Sequence, residues 1–180
     1  MTQRHNSLNN PEILRLIQIN PKKGTNAECF MIHRLHYVQI LPVNIDKAWG
    51  FFSKPENLDR ITPGWLRFEI LSIPADEMYP GMLIEYVIKA LAGIPMRWLT
   101  EITHVQKPEI FVDEQRLGPY RFWHHQHIFH TVPEGVKMTD LVHYSLPFPR
   151  LSFPLHALVI RPRLEEIFAF RRQVLSEIFS

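Results

Sequence analysis

The chain has 180 residues, 46% of them hydrophobic and 21% charged, with a formal net charge of +2. That describes one domain with a short appendage, long enough to bury a sizeable core, and too nearly neutral to track a nucleic-acid backbone. A single cysteine, Cys29, excludes an intrachain disulfide and a thiolate metal cluster, and no apolar run approaches the roughly 18 residues of a membrane span. Residues 1–10 are polar and lack the apolar core of a signal peptide, so a cytoplasmic location is expected.

Residues 1–30 read as an appendage. Within it, 11–19 suits a short helix or, near Leu14, Leu16 and Ile19, a strand, and 21–26 breaks it. The domain proper, 31–180, opens with a β-rich run over 32–41. Asn44 caps a short helix over 45–52, with Ala48, Phe51 and Phe52 near one face. Ser53 is placed to cap a second helix over 55–61, where Pro55 in the first turn is harmless. Two short helices in succession leave no room for a βαβ crossover.

Six strands follow, over 66–73, 82–90, 94–105, 110–117, 122–132 and 136–146. The turn signals between the last five are Ala92-Gly93, Lys107-Pro108, Gly118-Pro119 and Pro133-Glu134-Gly135. After the proline-spaced segment 147–154, read as a lid or a surface loop, comes a terminal helix with Pro162 near its start. Leu164, Ile167, Phe168, Leu175 and Ile178 form its apolar stripe. The class is α+β in the order β-α-α-β6-α, an antiparallel sheet curved around a long C-terminal helix.

The strand at Phe122–Val132 carries the densest chemistry. Counting by twos puts Trp123, His125, His127 and Phe129 on one face and His124, Gln126 and His130 on the other. Turn positions predict the rungs. Tyr86 faces Trp98, Thr100 faces Asp113, Asp113 faces His125, and His125 faces Tyr144. The next rung is Ile102, Phe111, His127 and Val142, while Trp98, Gln115 and Trp123 share another. A first hairpin centred between Ala92 and Gly93 would instead set Tyr86's face level with Arg97 and Glu101. Polar groups beneath a helix cost free energy unless they are paired or reach water or ligand. Asp113, Gln115, His125, His127, Asp140 and Tyr144 on the aromatic face therefore argue for a cavity.

Several runs carry a resemblance. They are Ala48-Trp-Gly-Phe-Phe-Ser53, Ile61-Thr-Pro-Gly-Trp65, Phe111-Val-Asp-Glu-Gln115, Gly118-Pro-Tyr-Arg121, Trp123-His-His-Gln-His127, Met138-Thr-Asp140 and Leu146-Pro-Phe148. With the element order, they make residues 31–179 resemble the START-like or SRPBCC (helix-grip) superfamily, in a bacterial branch related to polyketide cyclase/dehydratase-like and ligand-binding proteins. The resemblance implies a helix-grip fold and a cavity rather than a substrate. Some similar proteins are fused to an epimerase-like domain, which implies a partner of that kind. No strand-Gly-x-Gly-x-x-Gly-helix unit is present here.

The expected function is binding of a small hydrophobic or aromatic molecule between sheet and helix, without a cofactor. Tyr86, Trp98, Phe111, Trp123 and Phe129 supply apolar contact, and Thr100, Asp113, Gln115, His125, His127 and Tyr144 orient polar groups. One alternative is a cyclase-, dehydratase- or hydrolase-type enzyme. In it His125 is the base, Asp113 its orienter and Tyr144 a donor to a developing enolate. Another is an interaction protein with an incidental cavity. A metal is not expected, although Asp113 or Asp140 is placed to join His125 and His127.

Overall fold

The computed structural model describes residues 31–91, 93–148 and 154–180. The readings made for residues 1–30, for Ala92 and for 149–153 lie outside the described residues.

Strand β1 (His33–Leu41) leads into helix α1 (Ile45–Phe52) and the single turn α2 (Asn57–Arg60). Then come β2 (Glu69–Ser72), β3 (Met82–Leu91), β4 (Ile94–Gln106), β5 (Ile110–Leu117), β6 (Phe122–Val132) and β7 (Gly135–Ser145). A π-helical turn at His156–Ile160 precedes the terminal helix α3 (Arg161–Ile178). The seven strands form one sheet in the order β1-β7-β6-β5-β4-β3-β2, with every pair antiparallel. Among the described residues, no helix is long and apolar enough to cross a membrane.

Local chemistry sets the element ends. The Asn44 side chain accepts the Lys47 amide at 2.8 Å, capping α1 as its sequence predicts. Ser53 is not a cap for the next helix. Its N–H instead closes α1 on the Trp49 carbonyl, and α2 starts after Glu56 without a side-chain cap, which leaves it one turn long. The second strand is shorter than expected because a 3-10 turn occupies Gly64–Leu66 and Arg67 takes a left-handed φ of 45°.

Two hairpins correct the expected register. Val132 pairs with Gly135, so the β6–β7 turn is centred one residue earlier than the sequence reading put it. Gly135 is required there. Its φ is 132°, and a Cβ would lie 2.1 Å from the Leu41 carbonyl oxygen. Moving a turn by one residue moves the pairing by two and preserves the face. Trp123 therefore pairs with Tyr144, His125 with Val142, and His127 with Asp140. In the β4–β5 hairpin Gln106 pairs with Ile110, and the register shifts between Ile102 and His104. The displaced turn alone would invert the faces; the bulge restores them. Thr100 thus pairs with Gln115, not Asp113, and Asp113 pairs with Ile102. Tyr86 opposite Trp98 and Asp113 opposite His125 stand as read.

Helix α3 buries Leu164, Phe168, Arg171 and Leu175, a 4-3-4 spacing on one face. Each of its buried apolar side chains contributes about 1.5–3 kcal/mol. Two apolar clusters result. One joins Tyr86, Trp98, Trp123, Tyr144, Leu164 and Phe168; the other joins Trp49, Phe52, Phe111, Phe129, Met138 and Leu175.

Candidate functional site

Three adjacent strands assemble the polar wall. On one rung Asp113 of β5 lies beside His125 of β6, and on the next His127 of β6 lies beside Asp140 of β7. Side chains two residues apart on a strand share a face, so each carboxylate reaches both imidazoles. Asp113 Oδ2 lies 2.9 Å from His127 Nε2 and 3.3 Å from His125 Nδ1. Asp140 Oδ1 lies 2.9 Å from His125 Nε2 and 3.0 Å from His127 Nδ1. The last contact is short but badly directed, because His127 Nδ1 has no hydrogen-bond partner.

Carboxylates only accept, so a carboxylate beside each ring nitrogen favours the doubly protonated, cationic form of His125. Burial pulls the His125 pKa down, but attraction and hydrogen bonds from Asp113 and Asp140 outweigh it and leave it above the ordinary value. Burial likewise pushes both carboxyls up. His125 and His127 more than reverse this, holding Asp113 and Asp140 well below the usual carboxylate range. From α3, the buried Arg171 brings its Nη1 to 3.9 Å from Asp140 Oδ1, while its Nε has no hydrogen-bond partner.

This wall closes one side of a cavity of about 170 Å³ between the sheet, α1, α2 and α3. Of the residues expected to contact a ligand, Tyr86, Trp98, Thr100, Phe111, Asp113, Trp123, His125 and His127 all line it. Tyr86 bonds Thr100 at 3.0 Å and stacks on Trp98, whose ring meets Trp123 edge-on at 5.4 Å. Burial first, then the Asp113 charge, raises the Tyr86 pKa far above the phenolic range. The Trp98 indole Nε1 is buried without a hydrogen-bond partner.

Three expected residues do not line this cavity. Phe129 is fully buried in the second cluster, edge-on to Trp49 and 5.2 Å from Phe52. Gln115 holds the loop before β6, donating to the Tyr120 carbonyl at 2.6 Å and accepting its amide at 3.2 Å. Tyr144 bonds His156 at 2.8 Å, because the corrected register places it beside Trp123 rather than His125.

The sequence reading missed Arg171, Tyr120, Phe168 and the lining from α1 and α2, which includes Phe51, Phe52 and Leu58. Arg171 was legible as an anomaly, since it occupies the stripe position between Phe168 and Leu175. A second cavity of about 320 Å³ shares Ile88, Tyr120, Leu164 and Ile167 with the first and reaches Pro147, Phe148 and Leu155.

No protein-family model and no curated protein sequence matches the chain. Solved structures do. Protein CV1439 from Chromobacterium violaceum is 10% identical with a TM-score of 0.61, covering 82% of this chain and 97% of its own. Ginseng major latex-like protein 151 from Panax ginseng is 11% identical with a TM-score of 0.61, covering 83% and 99%. Protein Ms6760 from Mycobacterium smegmatis is 15% identical with a TM-score of 0.59, covering 82% and 90%. At these identities the likeness is one of fold, and the seven-stranded antiparallel sheet closed by a long C-terminal helix is a helix-grip fold.

Proposed function

We propose that the chain binds a small hydrophobic or aromatic molecule in the cavity between the sheet and α3. The observation that carries this reading is the pairing of an aromatic chamber with polar groups left unsatisfied. Trp98 Nε1, His127 Nδ1 and Arg171 Nε are buried without partners on residues that line the cavity. Tyr86, Trp98, Phe111 and Trp123 supply apolar contact, and the Thr100, His127 and Arg171 side chains on the same lining orient an oxygen-bearing group on the ligand.

The geometry favours binding over the cyclase- or hydrolase-type alternative. Asp113 does stand beside His125 at the cavity, as that mechanism needs. Both His125 nitrogens nevertheless face carboxylates, which leaves no lone pair for a general base. The Tyr144 hydroxyl is engaged by His156 away from this cavity.

Native mass spectrometry of the full chain purified from its own host, followed by displacement of an apolar fluorescent probe, tests the proposal. A reproducible bound small molecule is expected, with probe affinity weakened at least about tenfold in Trp98→Ala, the loss of one aromatic anchor. A folded wild type that takes up neither molecule nor probe refutes the reading, as does a Trp98→Ala variant with unchanged affinity.

A further inference from the structure

His125 and His127 stand on the same face of β6, with Asp113 reaching across from β5. All three line the cavity, and one ligand atom from each, two ring nitrogens and a carboxylate oxygen, lies within 4.8 Å of the others. His125 Nδ1 and His127 Nε2 are 3.3 Å and 2.9 Å from Asp113 Oδ2. A tetrahedral cation with bonds of 2.0–2.1 Å separates its ligands by about 3.3 Å, close to both of these separations.

Asp140 stands in a different relation to the pair. It does not line the cavity, yet it approaches the opposite nitrogen of each ring, His125 Nε2 at 2.9 Å and His127 Nδ1 at 3.0 Å. A carboxylate behind both imidazoles is what orients ligating histidines and fixes their tautomers. It also accounts for the orphaned His127 Nδ1. While His127 Nε2 donates to Asp113, the opposite nitrogen has nothing to bond. Once Nε2 ligates a cation, the ring proton sits on Nδ1 and faces Asp140.

From this arrangement we infer that Asp113, His125 and His127 form a binding site for one divalent first-row transition-metal ion, with Asp140 orienting both histidines and the cavity supplying the open coordination position. This departs from the sequence reading, which expected no metal. The proton balance is simple. The cation replaces the His125 Nδ1 proton, which leaves to solvent, and the His127 proton moves from Nε2 to Nδ1. With Arg171 nearby, the filled site holds one net positive charge, so it accepts an anionic oxygen from the cavity. Two nitrogens and one carboxylate suit zinc, cobalt or ferrous iron, whereas calcium and magnesium call for more oxygen ligands. The inference concerns the same cavity as the proposed function but stands whether or not the aromatic chamber holds an organic ligand.

The test uses the full chain, stripped with a chelator, and Co²⁺ alone as probe. One equivalent is expected to bind and to produce the visible absorption bands of low-coordinate cobalt, which added Zn²⁺ abolishes. Asp113→Asn and His127→Gln lose at least about 100-fold in affinity. Asp140→Asn, acting only through the histidines, loses about 10–100-fold. His124→Gln and His130→Gln lie on the other face of β6 and leave binding unchanged.

Circular dichroism establishes which variants are folded, and the isosteric Asp113→Asn carries the test if His127→Gln unfolds. Failure of the folded, stripped wild type to bind Co²⁺ overturns the inference. So does binding that survives Asp113→Asn or follows His124 and His130. The apolar-probe titration is run on the same stripped protein, so uptake of probe without metal defeats this inference alone, and uptake of metal without probe defeats only the proposed function.

Discussion

Asp140→Asn measures how tightly the buried cluster is coupled. The side chain is 9% exposed, and the substitution keeps its shape while removing its charge. One well-directed charge-assisted hydrogen bond, to His125 at 2.9 Å, is worth about 1.5–3 kcal/mol. The poorly aligned contact to His127 and the loose pairing with Arg171 at 3.9 Å go with it. Removing one partner of a buried ion pair costs about 3–5 kcal/mol in total, because the remaining charge stays desolvated. That is a large part of the roughly 5–15 kcal/mol holding a domain of this size together.

Urea unfolding of the metal-free protein, read by far-ultraviolet circular dichroism and tryptophan fluorescence, should show a lower midpoint at an unchanged slope. Asp113→Asn, at 17% exposure and touching the same two rings, should cost a similar amount. The double variant should cost at least about 1 kcal/mol less than the sum, since His125 then has no anion to hold its charge and becomes neutral. Single losses below about 1 kcal/mol, or additivity within about 0.5 kcal/mol, would refute the coupled-cluster argument.

Phe129→Ala separates packing from binding: it should cost about 3–5 kcal/mol of stability, measured by the same unfolding assay, while the folded variant keeps wild-type apolar-probe affinity. A weakened probe would put Phe129 back among the ligand contacts. Part of the acid sensitivity should come from His33 and His156, whose rings stack 3.6 Å apart and are faced by Tyr144 and Arg161. Burial first, then neighbouring positive charge, lowers both pKa values, so the unfolded chain takes up these protons more readily. The stability they support is therefore complete above the ordinary histidine value of 6.5 and is lost as pH falls through their lowered values. Thermal unfolding from about pH 7.5 to about pH 5.5 should show this decline, and His156→Gln should flatten it. An equally steep decline in His156→Gln would assign the sensitivity elsewhere.

Strand alternation made the faces legible in advance. Trp123, His125 and His127 fall on one side of β6 because side chains alternate along any strand, and a two-residue change of register leaves that assignment intact. The Asn44 cap and the apolar stripe of α3 were readable for the same reason, since both follow from short-range geometry.

Rungs and neighbours were not local properties. The tight turn at Gly135 depends on the close approach of the Leu41 carbonyl, and the β4 bulge decides that Asp113 pairs with Ile102. The Gly135 turn separates Tyr144 from His125 and sets Asp140 level with His127. Arg171 comes from a helix 31 positions beyond Asp140 in the chain, and no spacing rule brings its guanidinium to that carboxylate. The sequence by itself determined which side chains of β6 share its cavity face. Only tertiary packing decided that two carboxylates would bracket both imidazoles, because the pairing register and the docking of α3 depend on contacts between distant parts of the chain.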